Sequence, residues 1–208
     1  MTPAAALRRG LRELALALPA GTEEQLLAYL ELLAKWNRTY NLTAVRDPLQ
    51  MVILHVLDSL AVLSEIPAGP LADVGSGAGL PGIPIAIAEP KRSVTVNDAS
   101  HKKSAFLRQA VIELGLTNTE VHQGRAENWH PQERFAVVIS RGFADLAEFV
   151  AACRHLAQAE GVLAAMKGVY PEQELARVPA EFDCRTVRRL RVPLLTGERH
   201  LVLCRVGH

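Results

Sequence analysis

The sequence predicts an α/β fold: a mostly parallel sheet of seven strands, with an antiparallel last strand, preceded by an N-terminal helical extension. In residues 1–63 the apolar residues recur at helical spacing, whereas from residue 70 short β-rich runs alternate with helical stretches. Such alternation is typical of a parallel sheet with helices on both faces. We therefore expect a helical extension over 1–63 and an α/β domain over 64–208.

Three helices are predicted in the extension, starting at Thr2–Pro3, at Thr22 and at Asp47–Pro48. The first and third starts combine a capping side chain with a proline at the first helical position. Thr22 followed by Gln25 has the pattern of a capping box. The extension contains six acidic and six basic residues, so it is electrically neutral.

The α/β domain is predicted from the order of its β-rich and helical runs. Five parallel strands are expected at 71–75, 93–97, 120–122, 136–140 and 162–166. The helices between and after them are expected at 83–89, 101–115, 145–157 and 171–181. Two further strands, 184–192 and 200–206, are separated only by a short loop and should pair antiparallel. This layout is that of class I methyltransferases.

Composition excludes several classes of protein. The 208 residues include no apolar run of the roughly 18 residues that a membrane span requires. The three cysteines are an odd number, lie far apart and form no C-x-x-C pair, which argues against a disulfide framework and against a zinc site. We therefore expect a cytoplasmic protein with no metal and no membrane partner.

The charge balance gives no global argument for nucleic-acid binding. There are 23 basic and 22 acidic residues, for a net charge of +1. Residues 183–208, however, contain six arginines against Asp183 and Glu198. Such a local patch can contact phosphates, although the general use of arginine in this chain would also produce it.

A glycine-rich loop follows the first predicted strand. Gly75, Gly77 and Gly79 let the backbone turn tightly and approach a ligand, and the start of the next helix favours an anionic group. Asp98 ends the second strand, 23 residues after Gly75, where a carboxylate can accept both hydroxyls of a ribose. Together, the glycine loop and Asp98 predict a nucleotide-like cofactor.

Two cofactors fit this pattern. Gly77, Gly79 and Gly82 satisfy the G-x-G-x-x-G fingerprint of NAD-binding proteins, but the first of them is displaced by two residues from the strand end. Pro81 also interrupts the loop, and no substrate domain remains for a dehydrogenase. S-adenosylmethionine is preferred, and an NAD-dependent oxidoreductase remains the alternative.

Six collinear strings resemble the bacterial 16S ribosomal RNA methyltransferase G family, also called glucose-inhibited division protein B. They are KWNRTYNLTAVRDP at 35–48, HVLDSL at 55–60, DVGSGAGLPGIPIAI at 73–87, SRGFADL at 140–146, MKG at 166–168 and GERHLV at 197–202. The resemblance implies methyl transfer from S-adenosylmethionine to N7 of one guanine in 16S rRNA or the small ribosomal subunit. A non-enzymatic adaptor that retains the pocket is a second alternative.

The resemblance also assigns roles to individual residues. It implies that Arg141 lies where cofactor and target base meet and is catalytic. Cofactor contacts are implied for Asn41, Asp73, Gly75, Gly77, Gly79, Leu80, Asp98, Ala99, Ser100, Ala126, Glu127 and Arg141. RNA contacts are implied for Arg125, Lys167 and Arg199. No metal ligand is implied, and we expect a monomer.

The chain departs from the family pattern at two positions. The fourth strand carries Ala136 where the family usually has an acid, which leaves no acidic role there. Asn97 precedes Asp98 where an apolar residue is usual, and we expect it to tune the ribose pocket. Methylation of guanine N7 requires no general base, because this nitrogen carries a free lone pair and no proton.

Overall fold

A computed structural model describes residues 1–143 and 145–206, and the helices of its N-terminal extension fall close to the predicted positions. They are α1 (Pro3–Leu14), α2 (Thr22–Tyr40), α3 (Pro48–Met51), a π-helical segment Val52–Leu57, and α4 (Asp58–Leu60). The sequence predicts one regular α-helix over the α3–α4 stretch. The structure corrects this, because its middle is π-helical.

Two of the three predicted helix caps are present. Thr2 Oγ1 accepts a hydrogen bond from the backbone N–H of Ala5, and Asp47 Oδ1 accepts one from that of Gln50. The capping box at Thr22 is wrong: this residue lies inside α2, and its hydroxyl donates to the carbonyl of Pro19. Gly21, in the left-handed region with φ 84°, occupies the N-cap position instead.

The α/β part contains all seven predicted strands. Its elements are β1 (Leu71–Val74), α5 (Gly82–Ala88), β2 (Val94–Asp98), α6 (His101–Glu113), β3 (Thr119–Gln123), β4 (Phe135–Arg141), α7 (Leu146–Cys153), β5 (Ala157–Lys167), α8 (Glu172–Leu175), β6 (Phe182–Arg189) and β7 (His200–Val206), with 3₁₀ turns at Ala126–Asn128 and Arg154–Leu156. The strand order is β3-β2-β1-β4-β5-β7-β6. Strands β1 to β5 are parallel, and β7 runs antiparallel to β5 and β6. The predicted fold class is confirmed.

Two hydrophobic clusters form the core. The larger one joins side chains of the N-terminal helices to α5, α6 and the sheet, and includes Leu7, Tyr29, Val56, Ile83 and Leu201. The smaller one packs α7 against the sheet and the β6–β7 pair. The extension thus shares a core with the sheet, and the boundary after residue 63 stays a prediction.

The C-terminal third differs most from its prediction. The helix expected over 171–181 is limited to the four residues of α8, and β6 ends at Arg189 rather than at residue 192. The argument against disulfides is also wrong for one pair, since Cys184 of β6 and Cys204 of β7 are bonded. Sequence spacing could not show this pairing, because it depends on the register of two strands with a long turn between them. Cys153 is free and buried.

None of the helices in the described residues combines the length and apolar character needed to cross a bilayer. No cluster of three or more His, Cys, Asp or Glu side chains among the same residues has the arrangement of a metal site.

Candidate active site

The glycine loop leaves the carboxyl end of β1, beside the point where the strand order reverses between β1 and β4. Ligands of open α/β sheets bind at such a switch point. Gly75 and Gly77 both have positive φ, 69° and 60°. A Cβ built on Gly75 would meet no atom within 4 Å, and one on Gly77 would meet only the Gly75 carbonyl at 3.9 Å. The loop therefore presents bare backbone to open space.

Gly79 has a different function from the other two loop glycines. A Cβ at this position would lie 2.5 Å from Ile83 Cγ1 and 3.1 Å from Leu107 Cδ2. The missing side chain of Gly79 therefore allows α5 and α6 to pack closely. Only its backbone remains available for the predicted cofactor contact.

Asp98 ties the end of β2 to the glycine loop. Its Oδ2 accepts the N–H of Gly77 at 3.0 Å, and its Oδ1 accepts that of Ser100 at 2.8 Å. Lys103 Nζ lies 3.6 Å from the same Oδ2. Each carboxylate oxygen has a second lone pair, so Asp98 can hold the loop and still accept ribose hydroxyls.

Asp73 is a fully buried carboxylate directly below the loop. Its Oδ2 accepts the N–H of Gly82 at 2.8 Å, whereas Oδ1 has no hydrogen-bond partner among the described residues. Burial raises the pKa of Asp73 to about 7. An unpaired buried acceptor beside bare backbone fits a ligand that carries hydrogen-bond donors, as S-adenosylmethionine does.

Asn97 has a structural function that the sequence did not reveal. Its side-chain amide donates to the carbonyls of His122 and Gly124, at 3.2 and 2.9 Å. These bonds fix the loop after β3, which leads into Ala126 and Glu127. Ala126 is buried in the smaller hydrophobic cluster and Glu127 is exposed, so the polar residue of these two predicted cofactor contacts faces outward.

Arg141, at the end of β4, contacts the N-terminal extension rather than a neighbour on its own strand. Its Nη1 donates to the carbonyl of Leu54 at 2.7 Å and to Asp58 Oδ2 at 3.3 Å. The other oxygen of Asp58 accepts from Arg199 Nε at 2.9 Å. Asp145, four residues further along the chain, pairs with Arg177 instead.

Arg141, Asp58 and Arg199 line a cleft of about 370 Å³. Its walls are Val45, Leu54, His55, Asp58, Arg141, Gly142, Met166, Lys167, Gly168 and Arg199. Lys167 Nζ donates to the Phe143 carbonyl and pairs with Glu174 at 2.7 Å. The structure thus brings together three predicted basic residues, Arg141, Lys167 and Arg199. They lie at the edge of the sheet where the parallel strands have their carboxyl ends.

Other predicted residues lie outside this cleft. Asn41 ends α2 in the left-handed region, and its Oδ1 accepts a hydrogen bond from Arg46. Arg125 is exposed beside the loop after β3. In the C-terminal arginine cluster, Arg185, Arg188 and Arg189 are already paired with acids.

Two further residues organise the site, and neither was predicted from the sequence. Tyr29 of α2 is fully buried, and its hydroxyl donates to the carbonyl of Ala78 in the glycine loop at 2.8 Å. Asp58 lies within the string HVLDSL, but its role was not predicted. A carboxylate inside an otherwise apolar helical stretch was the available signal, because burying it without partners is costly.

Comparison with solved structures supports the class of protein. The glycopeptide N-methyltransferase MtfA in complex with S-adenosyl-L-methionine aligns with a TM-score of 0.62 and 13% identity, over 74% of this chain and 88% of that one. The DhpI–SAH complex aligns with a TM-score of 0.56 and 17% identity, over 89% and 97%. The chain has the fold of class I methyltransferases.

The sequence comparisons define the family. The model of the family GidB, rRNA small subunit methyltransferase G, matches residues 22–202. The ribosomal RNA small subunit methyltransferase G of Laribacter hongkongensis is 56% identical over 94% of this chain and 95% of its own length. That of Nitrosospira multiformis is 50% identical over 98% and 97%. The chain belongs to the rRNA small subunit methyltransferase G family, as the resemblance predicted.

The oxidoreductase alternative loses its support at this point. Dinucleotide-binding sheets of the dehydrogenase type have the order 3-2-1-4-5-6. Here β7 is inserted antiparallel between β5 and β6.

Proposed function

We propose that the chain transfers a methyl group from S-adenosylmethionine to N7 of one guanine in 16S ribosomal RNA. The family match over residues 22–202 carries this proposal. It is supported by the proximity of two features at one end of the sheet: a loop of bare backbone held by Asp98, and a cleft lined by three basic side chains.

The cofactor would lie along Gly75 and Gly77, with its ribose at Asp98 and its adenine beside the loop that contains Ala126 and Glu127. Bound there, S-adenosylmethionine supplies an electrophilic methyl carbon on a sulfonium sulfur. The open space at Gly75 and the unpaired Oδ1 of Asp73 fit such a ligand. Arg141 stands at the end of β4, next to the strand that leads into the glycine loop.

The reaction needs alignment rather than proton transfer. The lone pair of guanine N7 forms the new bond to the methyl carbon, and the electron pair of the broken carbon–sulfur bond stays on sulfur. His55 lines the cleft but is not required as a base; burial lowers its pKa to about 4, and its Nε2 contacts Thr43 Oγ1. Proximity and orientation can lower such a barrier by roughly 7–11 kcal/mol.

Arg141 is the residue that we assign to recognition of the base. A guanidinium donor complements guanine O6, whereas adenine presents a donor at the same edge. Arg125, Lys167 and Arg199 are assigned to RNA contacts. We further propose that the protein acts as a monomer in the cytoplasm, where its ribosomal substrate is assembled, and sedimentation equilibrium of the purified chain tests the monomer.

The decisive experiment uses small ribosomal subunits from cells that lack this methylation. Incubation with the protein and methyl-labelled S-adenosylmethionine should place label in 16S rRNA. Borohydride reduction followed by aniline cleavage should then map it to a single 7-methylguanosine. Absence of label from naked rRNA, precursor particles and finished subunits alike would favour the non-enzymatic adaptor.

A further inference from the structure

Among the described residues that line the cleft, Asp58 is the one acidic side chain, and it is almost completely buried. Only 3% of its side chain is exposed, against 25% for Arg141 and 24% for Arg199. Burial raises the pKa of Asp58, and the two guanidinium groups act against this shift. Asp58 is thus a buried carboxylate whose charge is compensated by two partners.

The three side chains come from parts of the chain that are far apart in sequence. Asp58 begins α4 in the extension, Arg141 ends β4, and Arg199 precedes β7. Each oxygen of Asp58 faces a different arginine: Oδ1 lies 2.9 Å from Arg199 Nε, and Oδ2 lies 3.3 Å from Arg141 Nη1. One carboxylate therefore fixes the separation of two cations that would otherwise repel each other.

Stability alone is a weak reason for this arrangement. Buried ion pairs often contribute no more to stability than apolar residues of similar volume. The surrounding segment is strongly apolar, with Val56, Leu57 and Leu60 fully buried. An apolar side chain at position 58 would continue that pattern, so the carboxylate suggests a requirement of the site.

Asp58 leaves part of each guanidinium available to a ligand. Arg141 uses Nη1 for Leu54 and Asp58, and Arg199 uses Nε and Nη1 for Asp58 and the Glu198 carbonyl. In the part of the chain that the structure describes, Nε and Nη2 of Arg141 and Nη2 of Arg199 have no hydrogen-bond partner. Both arginines line the cleft, where oxygen acceptors of a nucleotide would meet these donors.

We propose that Asp58 is a positioning residue that holds Arg141 and Arg199 at a fixed spacing for the acceptor nucleotide. The inference rests on the proposed function. Arg141 directs its donors to the target base, and Arg199 directs its free donor to an adjacent phosphate oxygen. The helical extension thereby takes part in substrate alignment by fixing the two arginines through one side chain.

The test is Asp58→Asn, which keeps the size of the side chain and removes its charge. Methyl transfer to undermodified small subunits should fall about 30-fold, because small misplacements of aligned groups are costly. The dissociation constant of S-adenosylhomocysteine, measured by calorimetry, should change less than about twofold. Equal losses of transfer and of S-adenosylhomocysteine binding would show that Asp58 only supports the fold.

The matched control is Glu89→Gln. It removes the acidic partner of the largely buried Arg92, at the end of α5 and away from the cleft. Its transfer rate should equal that of the wild type. If the wild type itself transfers no methyl group, the proposed function fails; if the wild type is active and Asp58→Asn is equally active, only the role of Asp58 is refuted.

A double-mutant cycle keeps the proposal testable even if Asp58→Asn does not fold. Arg141→Gln and Arg199→Gln change residues that are only partly buried. Both arginines are held by the same carboxylate, so their substitutions should be coupled, as expected for side chains in one network. The loss of transfer rate in the double variant should differ from the product of the two single losses by about fivefold or more. Losses that multiply would overturn the proposal.

Discussion

The two halves of the site are built in different ways. The cofactor half, formed by the glycine loop and the end of β2, is held mainly through backbone groups: Asp98 accepts the N–H groups of Gly77 and Ser100. The acceptor half uses long side chains from three distant segments, with Asp58 bonded to a residue 141 positions later in the chain. Cofactor binding and RNA alignment should therefore respond to different substitutions.

The largest effect is expected for Arg141→Ala, on the acceptor half. Methyl transfer should fall by about 100-fold or more, because the donor that we assign to the base is lost. The dissociation constant of S-adenosylhomocysteine should remain within about threefold of the wild-type value. A melting temperature that falls in proportion to activity would show Arg141 to be structural.

The next effect is expected for Asp98→Ala, on the cofactor half. Loss of the carboxylate removes charge-assisted hydrogen bonds, each worth about 1.5–3 kcal/mol, and frees the loop amide of Gly77. Calorimetry should show S-adenosylhomocysteine bound about 30-fold more weakly. Binding of small subunits without cofactor should be unchanged; a matching loss of RNA affinity would mean that the two halves are not separable.

Asp73 predicts a pH dependence of folding stability that arises in the cofactor half. Its pKa is raised from 3.8 to about 7 by burial, so the folded state binds this proton more tightly than the unfolded chain does. The stability that Asp73 contributes is present at low pH and is lost as the pH rises between these two values. The free energy of unfolding should fall by about 2 kcal/mol more between pH 5 and 7 in the wild type than in Asp73→Asn. Urea titrations at both pH values provide the measurement, and identical pH slopes in the two proteins would contradict the prediction.

The smallest effect is expected for Tyr29→Phe, which removes one hydroxyl. The carbonyl of Ala78 loses its buried donor, at a cost of about 1 kcal/mol. Affinity for S-adenosylhomocysteine should fall about fivefold, while the transfer rate at saturating cofactor stays near that of the wild type. A lower saturated rate with unchanged affinity would assign Tyr29 to the acceptor half.

The cofactor half could be predicted from the sequence to a large extent. The glycine loop and Asp98 are neighbours by virtue of parallel strand order, so a strand–loop–helix pattern was enough to bring them together. Even there, packing was not visible: Gly79 looked like a ligand glycine, yet its missing side chain is required by Ile83 and Leu107. Tyr29 was also missed, because a tyrosine on an apolar helix face predicts burial and a partner for its hydroxyl but does not identify that partner.

By itself, the sequence determined the fold class, the family and the position of the cofactor loop, because these depend on local periodicity and on short strings of residues. The tertiary structure decided how Arg141 is held, that Asp58 joins it to Arg199, and that Cys184 meets Cys204. Contacts between residues far apart in sequence depend on strand register and helix packing. No local pattern records these, so only the folded chain shows them.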